Sequence, residues 1–131
     1  MKSSKFETGA RIVLAIMLAV FGADKFFHYL PMPDPPEAGG AFLGALGAAG
    51  YIFPTIGGVF LLSALLLMAK RVVLALLLLA PIALNIVLYH VQYDMAGIGA
   101  GALLSTLMVV LACLHAGDVG RLFGSGTAEK S

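Results

Sequence analysis

Six polar side chains stand out because they lie in otherwise apolar sequence: Asp24, Lys25 and His28 near the end of one hydrophobic segment, and Asn85, Tyr89 and His90 near the end of another. Counting from basic residues at the opposite ends, Asp24 comes 13 residues after Arg11 and Asn85 comes 14 after Arg71. At ~1.5 Å per helical residue both lie about 20 Å along their helices, and His28 and Tyr89 follow one turn later. Helical spacing puts Asp24 with His28 on one face, Lys25 with Tyr29 on the next, and Asn85 with Tyr89 on one face of the second segment. Lys25, His28 and His90 can donate hydrogen bonds to carbonyl oxygens of a bound head group, while Asp24 and Asn85 hold them in place. A charge at the centre of a bilayer costs about 2.5–3.5 kcal/mol, and less towards the interface, so these residues need partners, water or a ligand.

Other chemistries find little support. Three histidines, His115 being far from the other two, show no close ligand spacing for a metal. His28 and His90 sit at similar depth, but nothing else points to haem. No phosphate-cradling loop and no nucleophile–base pair is evident. Cys113 is the single cysteine, which excludes an intrachain disulfide and a Cys-x-x-Cys redox pair. It reads as a small packed hydrophobe. No resident cofactor is required by any of these residues.

The elements that position the polar groups are apolar helices. Stretches 52–69, 72–89 and 95–114 contain no Asp, Glu, Lys, Arg or His, and 12–23 is equally apolar. A span of the ~30 Å hydrocarbon layer takes about 20 residues. With 131 residues, 60% hydrophobic and only 11% charged, the chain is far from the roughly 25% charged composition of soluble domains. The expectation is a single all-α domain over 1–131, a membrane-embedded four-helix bundle with spans at about 11–30, 52–69, 72–91 and 95–115. Prolines 31, 33, 35 and 36 end the first span. The Gly/Ala-rich stretch that follows is too short for an extra crossing and fits a short interfacial or re-entrant helix over 37–50. Pro81 inside the third span predicts a kink there. Gly97, Gly101 and Ser105 form a small-residue stripe for helix packing, either internal or between protomers of an oligomer.

The net charge of +1 points away from nucleic acid. With a cytoplasmic N-terminus, Lys2, Lys5, Arg11, Lys70, Arg71, Arg121 and Lys130 all fall inside and Lys25 alone outside, as the positive-inside rule demands. Both termini are therefore expected in the cytoplasm, the lipid bilayer being the first partner. The first segment lacks small residues at both positions that signal cleavage needs, so it is read as a retained span.

Gly22-Ala-Asp-Lys-Phe-Phe-His28, Pro-Met-Pro with Gly-Ala-Phe-Leu in the first connection, and Ala80-Pro-Ile-Ala-Leu-Asn85 followed by His90 resemble the DoxX-like family of bacterial membrane proteins. The resemblance extends over about residues 10–115. It implies a four-helix bundle of the inner membrane in a redox setting, accessory to redox membrane-complex subunits or binding a quinone, and not catalytic alone. Carried onto this chain, the family's polar positions are Asp24, Lys25, Asn85 and His90. The leading expectation is thus a quinone-like ligand held by Asp24, Lys25, His28, Asn85, Tyr89 and His90. Against it stand a structural protein whose polar cluster only ties helices together, and a small transporter using Asp24 as an ion site.

Overall fold

The computed structural model describes residues 4–124, so Lys2 and Lys130 lie outside the described residues. Those residues are all-helical: α1 Lys5–Phe27, α2 Glu37–Ala48, α3 Ile52–Met68, α4 Val72–Tyr93, α5 Gly99–Leu114 and α6 Ala116–Leu122, with a 3-10 turn Met95–Gly97 before α5. α1 and α4 are each long and apolar enough to cross a membrane. The pairs α2 with α3 and α5 with α6 pass the same criterion only when joined, and each pair is bent, by 84° and 86°.

The four longer helices pack in a ring, α1 on α3, α3 on α4, α4 on α5 and α5 back on α1, with α1 and α3 in the most extensive contact. α1 and α3 run antiparallel, because Arg11 near the start of α1 meets the end of α3 while Lys25 near its end meets Gly57 near the start. Leu14 and Leu18 of α1, Leu67 of α3, Leu79 of α4 and Leu111 of α5 fill the interior. The outward faces are apolar too: Ile16, Leu65, Leu84 and Val109 are all well exposed. A helix hydrophobic on every side has no face that prefers water.

Helix ends follow local chemistry. α1 starts at Lys5, six residues before Arg11, because the Ser4 hydroxyl accepts the Glu7 N–H at 3.0 Å as an N-cap. It stops at Phe27 rather than continuing to residue 30. His28 turns into the left-handed region at φ 54°, and the Asp24 carboxylate accepts the Leu30 N–H at 2.7 Å. The expected helical pairing of Asp24 with His28, and of Lys25 with Tyr29, is therefore replaced by a turn. Tyr29 folds back along α1, its hydroxyl donating to the Val20 carbonyl at 2.5 Å. α2 occupies the stretch expected for a short helix, ending before Gly50 at φ 86°. α4 continues through Pro81 as one helix. α6 had no counterpart among the expected elements.

Two packing expectations are corrected. Gly97 belongs to the 3-10 turn, where an added Cβ would meet its own neighbour Asp94, so the stripe Gly97, Gly101, Ser105 does not act as one surface. Gly101 alone makes a close approach, to Ile86 of α4. Cys113 is exposed rather than packed, because Leu104 and Leu111, seven residues apart, already take the inward face of α5.

Candidate functional site

A close crossing of α1 and α3 sets up the site. At Gly22 of α1 an added Cβ would lie 2.9 Å from the Phe60 Cβ and 3.2 Å from the Gly57 carbonyl oxygen. At Gly57 of α3 it would lie 2.8 Å from the Lys25 Cβ and 2.9 Å from the Gly22 carbonyl oxygen. Two facing glycines let the backbones touch here. The Lys25 Cβ packs directly against Gly57.

Just beyond this crossing, at the end where α1 and α4 stop, the helices line an open cavity of about 560 Å³. Its depths are apolar, formed by Leu18, Ile56, Phe60 and Leu104. Its upper wall carries Asp24, Lys25, His28, Asn85, Tyr89 and His90, with Asp94 beside them. All six candidate residues thus line one cavity, although they come from α1, the turn after it and α4. Phe42 of α2 stacks on Tyr89 and Tyr93 with ring centroids 5.9 and 5.6 Å away, so α2 covers this end. Gly39 makes that contact close: an added Cβ would stand 2.7 Å from the Tyr89 hydroxyl oxygen.

The polar groups differ in what occupies them. Asp24 is buried and committed to the Leu30 N–H, a structural bond that holds the chain leaving α1. His90 Nδ1 lies 3.1 Å from the Asp94 carbonyl oxygen, which orients the ring and leaves Nε2 available. The Tyr89 hydroxyl is buried and, among the described residues, has no hydrogen-bond partner. Lys25 is partly buried, and among the described residues no hydrogen bond or ion pair engages it. Asn85 likewise has none and remains exposed along the cavity wall. Donors without partners in a mainly apolar space are the arrangement that recognises acceptor oxygens on an apolar body.

A second polar cluster, at the opposite end, was not foreseen. Glu7 and Arg11 of α1 are each only 5% exposed. His115, at the junction of α5 and α6, meets the Glu7 carboxylate through Nε2 at 2.9 Å. Arg11 contacts the same carboxylate at 3.4 Å and donates to the Leu67 carbonyl, one of the last in α3, at 3.0 Å. Arg11 is therefore a buried clasp rather than an anchor at the helix end. Its spacing of four from Glu7 was the visible signal. The long-range half, His115, carried no signal at all. On the exposed side of this cluster a hydrogen bond from Arg121 holds the Asp118 carboxyl below the usual carboxylate range. Among the described residues no three His, Cys, Asp or Glu side chains gather to hold a metal ion.

Comparison with family models, with curated proteins and with solved structures finds no match to this chain. The likeness to DoxX-like proteins accordingly rests on the motifs quoted above.

Proposed function

We propose that this chain is a multi-pass protein of the bacterial inner membrane, a four-helix bundle with both termini cytoplasmic, that binds an apolar small molecule with a quinone-like head. On this reading it is related to the DoxX-like proteins and is an accessory subunit of a redox-linked membrane system, not an enzyme by itself. The supporting observation is the cavity: apolar depths under a wall on which Lys25, Asn85 and Tyr89 present donors without partners. A ring carrying carbonyl oxygens would accept from those groups and lie beside the Phe42 and Tyr89 rings, its tail among Leu18, Phe60 and Leu104. Apolar outward faces on all four long helices support the membrane setting.

The test is quinone and lipid co-purification with the wild-type protein, Asn85→Leu and Lys25→Met. Retained quinone in the wild type that falls several-fold in both variants is the expected result. Equal content in all three removes the ligand reading.

One observation favours a second reading. The Asp24 carboxylate serves the Leu30 N–H, so part of the polar group is structural. If the whole cluster only ties elements together, the same variants lower the unfolding temperature in detergent and leave bound ligand unchanged. For the third possibility, transport, ion flux in proteoliposomes that ignores Asp24→Asn would dispose of it.

A further inference from the structure

We propose that Lys25 is a carbonyl-capturing amine: an apolar aldehyde entering the cavity condenses with its Nζ to form an imine. This rests on the cavity reading above, but not on the ligand being a quinone. Three features of the site carry it. Lys25 lines the cavity, and among the described residues no carboxylate lies within ion-pair distance of it and no acceptor within hydrogen-bond distance. The base of its side chain is held at the close approach of α1 and α3, where the Lys25 Cβ packs against Gly57. Below Lys25 the cavity is lined by apolar side chains, Leu18, Ile56, Phe60 and Leu104, which suit the body of an apolar aldehyde.

The chemistry closes with the groups present. The ammonium first gives one proton to water. The amine lone pair then forms a bond to the aldehyde carbon, giving a carbinolamine. Loss of one water, which carries away the carbonyl oxygen, leaves the C=N bond. Once protonated, the imine carries the same single positive charge that the ammonium did. The charge that Lys25 brings to the cavity lining, which also includes Asp24 and Asp94, is therefore unchanged. Lysine is the side chain that supports this reaction, whereas arginine retains the charge without a nucleophilic amine.

The experiment uses the full chain in nanodiscs with hexadecanal as the probe and cyanoborohydride to reduce any imine to a stable secondary amine, located by peptide mass spectrometry. Lys5 and Lys70, both exposed and both far from the cavity, are the internal references. Labelling of Lys25 about tenfold faster than either reference, suppressed by excess hexadecanol at Lys25 alone, is the expected result. Lys25→Arg, checked for an unchanged unfolding temperature, should lose the label at this position and keep it at the references. Labelling of Lys25 no faster than Lys5 and Lys70 overturns the inference. An unlabelled Lys25 in protein that still retains quinone sinks this inference only. A selectively labelled Lys25 in protein that retains none sinks only the quinone reading.

Discussion

Glu7, Arg11 and His115 show how much three side chains can commit a structure. The carboxylate of Glu7 is buried and shared between the guanidinium and the imidazole, while Arg11 also satisfies a carbonyl at the end of α3. Removing one partner of a buried charged pair costs about 3–5 kcal/mol, because it strands the other. Arg11→Met is therefore expected to lower the thermal unfolding midpoint in detergent markedly. The double variant Glu7→Gln/Arg11→Met is expected to recover much of the loss. Equal midpoints for wild type and Arg11→Met would show that the clasp contributes nothing. At the other end, Asp24→Asn keeps an acceptor for the Leu30 N–H and is expected to change stability less than Asp24→Leu, which abolishes that bond.

At the scale of elements, two crossings hold the cavity open. The Gly22–Gly57 contact leaves no room for even a methyl group without displacing backbone. Overpacking a fitted contact costs typically 1–3 kcal/mol. Gly57→Val is thus expected to destabilise the protein and to displace the Lys25 stem, measured as a lowered midpoint together with slower aldehyde labelling. Gly101→Val, which meets the Ile86 Cγ2 methyl and no backbone atom of a neighbouring helix, is expected to cost less. α2 offers a cleaner test of the covering element. Gly39→Val drives a side chain against the Tyr89 hydroxyl, so it should lift α2 from the aromatic stack while leaving the ring of long helices intact. Faster hydrogen exchange confined to α2 is the measurement, and unchanged exchange there would show that Gly39 is not needed for the contact.

For the whole molecule, the balance of interactions depends on the solvent outside. Apolar side chains cover the exterior of the long helices as well as the core, so in lipid the helices gain little from burying them. Close van der Waals contact at glycines and the polar bonds at the two ends must then hold the ring together. The proposed topology, which rests on the distribution of basic residues, predicts a polarity across the membrane. Cysteines introduced at Lys5 and Arg121 in a Cys113→Ala background are expected to react with an impermeant maleimide from the cytoplasmic side, and one at Glu37 from the opposite side. Reaction of all three from one side would overturn the topology.

The amino-acid sequence by itself determined the four long helices and their rough limits, the short α2 but not α6, and the common level of Asp24, Lys25, Asn85 and His90. These depend on runs of apolar residues, on prolines and on a fixed rise per residue, all of which act along the chain locally. Tertiary structure decided which small residues touch. Gly22 meets Gly57, whereas Gly97 is spent on a turn, since contact depends on which helices become neighbours and not on spacing within one. It also turned His28 out of the helix through a bond between Asp24 and a backbone N–H six residues on. And it joined Glu7 to His115 across 108 positions, a pairing that only the closing of the ring brings within hydrogen-bond reach.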